Sequence, residues 1–174
     1  LGMVGIADGL KNIVKHIDPS RPVTMGLANM GNLRRIGLPE VLDAVGYNYT
    51  ENRYAGDHIK YPEQFLYGSE NPHNYDGWLA VKNNNYISAQ FLWTGIDYLG
   101  EAGKFPLRSA FSGLLDLTGH EKTIYYWRQS MWTEKPMIFI TARKKKAEDR
   151  NAARGPRPCF FLFPSAFCLL FVSA

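Results

Sequence analysis

Several short runs of this chain end in side chains able to do chemistry. Gly46-Tyr47-Asn48-Tyr49 closes one apolar run, Tyr67-Gly68-Ser69-Glu70 the next and Trp93 a third, and Asp97 and Glu101 follow within Thr94-Gly95-Ile96-Asp97-Tyr98-Leu99-Gly100-Glu101. An ionised carboxylate can attack an electrophilic carbon, amides and carboxylates bind hydroxyl groups, and an aromatic face stacks on an apolar one. That mixture suits carbohydrate: the aromatic rings cover the apolar side of a pyranose while one carboxylate reaches its anomeric carbon. Glu70 is the natural candidate nucleophile.

These residues need a scaffold that brings run ends together. The runs 22–27, 44–49, 65–69 and 87–93 are apolar or aromatic, are bounded by Gly, Asn and Pro, and begin 21 or 22 residues apart. Strands alternating with helices at that interval predict right-handed βαβ units and a parallel sheet, hence an α/β fold. Four such units make about half of a (β/α)8 barrel, whose reacting groups sit at the C-terminal ends of the strands. The 174 residues are short of the roughly 250 of a closed barrel. Ahead of the first strand, Leu10, Ile13, Val14 and Ile17 form one apolar helix face, stopped by Asp18-Pro19-Ser20-Arg21-Pro22. A last helix is expected over Thr123–Trp132, ended by Lys135-Pro136, and residues 137–140 read as a strand.

Composition then narrows the classes. With 45% hydrophobic, 14% aromatic and 21% charged residues, the chain is neither disordered nor fibrous. The formal charge is +4, but residues 1–140 carry thirteen Lys and Arg against fourteen Asp and Glu, whereas 141–174 carry seven against two. A nucleic-acid surface needs its cations on a folded face, so that partner is excluded. All Tyr and Trp precede residue 140, and both cysteines, Cys159 and Cys168, follow it. Residues 141–174 are thus a basic, then apolar tail of foreign composition, expected to be disordered or an artefact of the reading frame. Its apolar run 159–174 is shorter than the roughly 20 residues of a membrane helix and contains Pro164, so no membrane anchor is expected. The chain opens at Leu1 without an initiator Met, and its true N-terminus is expected to lie upstream.

Five ordered segments, Asp18 to Thr24, Asp43 to Tyr49, Tyr67 to Glu70, Gln90 to Glu101 and Tyr125 to Trp132, together resemble the catalytic barrel of glycoside hydrolase family 2, of the β-galactosidase type. The resemblance implies that residues 1–136 are the C-terminal half of that (β/α)8 barrel and that 137–140 begin a following β-sandwich domain. It implies a retaining exo-β-glycosidase acting on terminal β-galactosides by double displacement, with Glu70 as nucleophile and Tyr49 orienting it. Trp93 falls on the sugar platform, and Tyr47, Asn48, Asp97 and Glu101 fall in motifs near the sugar, as contacts or as loop supports. Such carboxylate chemistry needs no organic cofactor.

One part of the family pattern is missing from this sequence. A retaining enzyme needs a general acid/base carboxylate about 5 Å from the nucleophile, and the family's Asn-Glu pair should stand just upstream of Leu1. Glu40 and Glu63 precede strands, and Glu51 belongs to a loop. Losing proton donation lowers a rate by roughly 10² to 10⁴, so the isolated chain is expected to be inactive, and poorly soluble through its open strand edges. The other readings are a non-catalytic carbohydrate-binding remnant and β-glucuronidase or β-mannosidase specificity, for which Arg53 and Asn52 are the nearby candidates to clamp a uronate. His58, His73 and His120 have no metal-site spacing, no metal ligand is assigned, and Asn48-Tyr49-Thr50 matches a glycosylation sequon by chance. A homo-oligomeric parent enzyme and a cytoplasmic, periplasmic or secreted location all stay open.

Overall fold

A computed structural model describes residues 2–143 and 167–173, with 141–143 and 167–173 described by their backbone alone. The chain divides into two compact units, Leu1–Gly95 and Ile96–Ala174.

The first unit begins with α1 (Met3–Ile17), which Pro19 cannot extend; the Asp18 carboxylate instead accepts from the Ser20 backbone N–H at 3.0 Å, closing a tight turn. Then come β1 (Thr24–Leu27), α2 (Met30–Arg35), β2 (Ala44–Asn48), α3 (Tyr54–Lys60), β3 (Phe65–Asn71), α4 (Tyr75–Lys82) and β4 (Ile87–Leu92), with short 3-10 turns at Pro39–Val41 and Glu51–Arg53. The four strands lie in sequence order, all parallel, with Thr24 beside Ala44 and Ala44 beside Phe65. The expected α/β architecture is present as an open four-stranded parallel sheet, and the described residues form no closed barrel.

Burial explains these elements. Ala44, Val45, Gly46 and Tyr47 are all buried, the continuous run of a strand covered on both faces. Under the sheet, Leu27, Met30, Leu38, Val45, Tyr47, Tyr54, Leu66 and Ile87 make one core. On the other face, a Cβ at Gly46 would stand 2.7 Å from both the Met25 carbonyl oxygen and the Tyr67 hydroxyl, so only glycine lets the neighbouring strands close.

Helix α1 carries the expected apolar face, but that face is exposed. It packs through Val4 and Ala7, and Lys11 and Lys15 pair with Asp43 at 2.7 and 2.9 Å, so Met3, Ile6, Leu10, Ile13 and Ile17 all stay exposed.

In the second unit, β5 (Tyr98–Leu99) and β6 (Ser109–Ala110) pair antiparallel, and α5 (Thr123–Trp132) has the bounds the sequence predicts. β7 (Met137–Arg143) contains the expected strand and pairs in parallel with β8 (Phe167–Ser173). The expectation of a disordered tail falls chiefly on 144–166, which lie outside the described residues.

Candidate active site

Three neighbouring strands of the first unit end together. The Tyr49 N–H donates to the Glu70 carbonyl at 2.9 Å, and the Trp93 N–H to the Asn71 carbonyl at 3.1 Å, which ties the ends of β2, β3 and β4 side by side. Tyr49 takes the left-handed conformation (φ 52°) as the chain leaves β2, and a cis peptide bond follows Trp93. Tyr49 and Trp93 keep 46% and 40% of their surface exposed, large values for aromatic side chains at strand ends.

Glu70 owes its position to an irregularity. Strict alternation along β3 would set it on the same side as Leu66 and Gly68, in the core. The register shifts between Tyr47 and Asn48 on one side of β3 and between Gly68 and Asn71 on the other, so a bulge resets the alternation. Leu66, Gly68 and Asn71 are buried, while Tyr67, Ser69 and Glu70 are less so. Glu70 thereby meets Asn48, whose Nδ2 donates to its Oε2 at 3.3 Å. Gly26 and Gly46 line the same face: a Cβ on Gly26 would lie 3.2 Å from Ser69 Oγ and one on Gly46 2.9 Å from Ser69 Cβ. Ser69 Oγ is buried there with no hydrogen-bond partner. The result is a half-buried carboxylate with an amide donor and small residues around it, on a strand whose two neighbours end in exposed aromatic residues.

The other expected site residues have surroundings of their own. Tyr47 is fully buried on the opposite face, where its hydroxyl accepts from Arg34 at 3.0 Å and donates to Asp57 at 2.9 Å. Burial pushes its hydroxyl pKa up to about 12, with Asp57 adding to the rise and Arg34 opposing it. A side chain so enclosed cannot reach a sugar. In the second unit, Asp97 is also buried, and its Oδ1 accepts from the Gly113 N–H at 2.7 Å and from Lys122 Nζ at 2.8 Å. That carboxylate closes a loop. Glu101 has a left-handed φ of 45° and accepts a hydrogen bond from the Tyr98 hydroxyl. Arg53, weighed as a uronate clamp, instead donates to Asp57 Oδ1 at 3.2 Å. Among the described residues, no group of three or more His, Cys, Asp or Glu is placed to hold a metal ion.

Sequence reasoning missed the layer beneath Glu70. Asn71, fully buried, donates to Glu51 Oε1 and, at 3.3 Å, to the Tyr54 hydroxyl. Arg34 spans Tyr47, Asp57, Glu40 and Gln64 and lies over the Tyr61 ring at 4.1 Å. The Gly68-Ser69 pair inside a strand was the available signal of the bulge.

An open face of parallel strand ends, carrying a carboxylate, an amide and exposed aromatic side chains, defines an α/β protein with a polar and aromatic surface at one end of its sheet. No protein-family model matches the chain. It is 31% identical over 179 aligned residues to the β-galactosidase BoGH2A of Bacteroides ovatus, covering 75% of this chain and 21% of that protein. A stretch of 67 residues is 43% identical to a Formosa agariphila protein named as a candidate β-glucuronidase, covering 36% of this chain and 6% of that one. Among solved structures, a glycosyl hydrolase family 2 member from Bacteroides cellulosilyticus superposes with a TM-score of 0.66 at 32% identity, over 75% of this chain and 18% of that one. The chain thus spans about a fifth of the first curated relative and much less of the second. It is homologous to a segment of glycoside hydrolase family 2 enzymes.

Proposed function

We propose that this chain forms the nucleophile-bearing part of a retaining exo-β-glycosidase, most closely a β-galactosidase. The observation that carries the reading is Glu70, turned out of the core at a parallel strand end, held by Asn48 and set between the ends that bear Tyr49 and Trp93. Residues 1–136 are the second half of a (β/α)8 barrel, and 137–140 open a following β-sandwich domain.

A Glu70 carboxylate oxygen attacks the anomeric carbon as the bond to the leaving oxygen breaks, giving a glycosyl ester. A second carboxylate, carried on an earlier strand of the barrel, protonates the leaving oxygen. The same group then takes a proton from water, which attacks the anomeric carbon, releases the sugar and restores the Glu70 carboxylate. Tyr49 orients Glu70, Trp93 stacks on the sugar, and Asn48, besides holding the nucleophile, lies within reach of a neighbouring hydroxyl. Tyr47 and Asp97 support the scaffold rather than the sugar. Engagement of Arg53 by Asp57 favours a neutral sugar over a uronate, although one relative carries a β-glucuronidase name.

Mass spectrometry of the full polypeptide after exposure to a 2-fluoro β-galactoside tests this. Labelling on Glu70 that Glu70→Gln abolishes is the expected result. Binding of the sugar with no adduct leaves a carbohydrate-binding protein and ends the enzymatic reading. The 174-residue chain alone is expected to show no appreciable turnover.

A further inference from the structure

Asn71 has no part in the chemistry just described, yet it ties together the ends of three elements: β4, the turn after β2 and the start of α3. Its carbonyl accepts from the Trp93 N–H at 3.1 Å. Its side-chain amide reaches Glu51, two residues beyond Tyr49, and the Tyr54 hydroxyl at the start of α3. Room for this is made by glycine. A Cβ at Gly68 would stand 1.9 Å from Asn71 Oδ1 and 2.8 Å from the Tyr54 hydroxyl, so any side chain at 68 would displace the amide. Polarity fixes the orientation as well. Glu51 demands the NH2 group, and Asn71 Oδ1 is left buried against Gly68 without a hydrogen-bond partner. An unsatisfied buried oxygen costs stability, which a leucine at this position would not.

We infer that Asn71 is a positioning residue for the nucleophile: by holding Glu51 and Tyr54 it locks the segment bearing Tyr49 against the bulge that turns Glu70 outward. This rests on Glu70 being the nucleophile. Displacement of a reacting group by about 1 Å costs on the order of a hundredfold in rate, so loosening this lock acts on chemistry more than on sugar binding.

The test uses the full polypeptide and the rate of Glu70 labelling by a 2-fluoro β-galactoside, resolved into a saturating rate and a half-saturating concentration. Asn71→Asp sets a carboxylate against that of Glu51 and should lower the saturating rate about a hundredfold with little change in the half-saturating concentration. Glu51→Gln keeps an acceptor and should lower it less than tenfold. Combining Asn71→Asp with Glu51→Gln restores a donor–acceptor pair of reversed direction, and labelling should return to within about fivefold of the unmodified protein. A merely structural asparagine would not yield that rescue.

Unchanged labelling in Asn71→Asp, or a double variant no faster than Asn71→Asp, overturns the inference while Glu70 keeps its role. If Asn71→Asp does not fold, the comparison of Glu51→Gln with the double variant decides, since an inactive double variant again overturns it. Absence of any Glu70 adduct in the unmodified protein removes the nucleophile and this inference together.

Discussion

The two faces of the first unit's sheet use the same residue types for opposite ends. Beneath the sheet, Tyr47, Tyr54, Asp57, Asn71 and Arg34 are buried and bonded to one another, and charge is compensated: the side chains of Arg34 and Asp57 are 6% and 5% exposed. Above it, Asn48, Ser69 and Glu70 stand among Gly26 and Gly46, where the Asn48 amide donates to the Glu70 carboxylate and the Ser69 hydroxyl is unpartnered. Tyr47 and Tyr49 are two positions apart, and one is enclosed while the other is nearly half exposed. Residue type therefore says little about role here. The pleat, and one bulge in it, decide which carboxylate is enclosed and which stays partly exposed.

The sharpest way to break the contrast is to strip the lower face of its anion. Asp57→Ala leaves the Arg34 guanidinium with Glu40, 3.1 Å away and more exposed, as its remaining carboxylate and takes the acceptor from the Tyr47 hydroxyl; a broken buried pair costs about 3–5 kcal/mol, an upper figure while Glu40 remains. Urea unfolding of the full polypeptide should register the loss, and a change below about 1 kcal/mol would mean that Glu40 or water compensates Arg34. On the upper face the vulnerable feature is space. Gly46→Val places side-chain atoms where a Cβ alone meets backbone oxygen at 2.7 Å, and overpacking should cost about 1–3 kcal/mol in the same assay. It should also disturb Ser69 and Glu70, which Asp57→Ala reaches only through Tyr47.

Much of this was legible in the sequence, and the failures have one physical cause. The four strands follow from apolar runs at even spacing, and α5 from its aromatic run before Lys135-Pro136, because continuous burial leaves a compositional trace. Glu70, Tyr49 and Trp93 follow from their places at run ends. Which face a side chain takes is another matter. Tyr47 falls in the motif near the sugar by resemblance, yet it is buried on the other face, as is Asn71 beside Glu70. Neighbouring residues on a strand point to opposite faces, and the β3 bulge, invisible to periodicity, shifts that parity by one. Helix α1 misleads for a related reason. Its apolar stripe is real, but Val4, Ala7 and the Lys11 and Lys15 pairs with Asp43 turn it outward.

Proton linkage sharpens the contrast further. Burial raises the Tyr47 and Tyr54 hydroxyls to about 12, above the ordinary value near 10. A folded pKa above the unfolded one means that the folded state holds its proton longer. The stability linked to it is complete below pH 10 and is lost as pH rises from 10 towards 12. Unfolding free energy should fall across that window by about 2 kcal/mol for each of the two hydroxyls, and Tyr47→Phe should remove one share of the fall. A curve of unchanged slope in Tyr47→Phe would place the alkaline loss outside the lower face.

The smallest effect belongs to the periphery of the same unit, where Asp43 joins α1 to the start of β1. Hydrogen bonds from Lys11, then Lys15, then the Val23 N–H hold its carboxylate well below the usual range. A depressed carboxylate pKa gives stability that is present above the unfolded value near 3.9 and is lost as pH falls below it. About a quarter of the side chain faces solvent, so screening limits each ion pair to roughly 0.2–1 kcal/mol. Between pH 5 and pH 2, Asp43→Asn should lose less stability than the unmodified protein, and the difference should shrink in 1 M salt, where screening acts within about 3 Å. A difference that survives 1 M salt would assign the effect to the Val23 hydrogen bond and to turn geometry, and would leave α1 held to the sheet by Val4 and Ala7 alone.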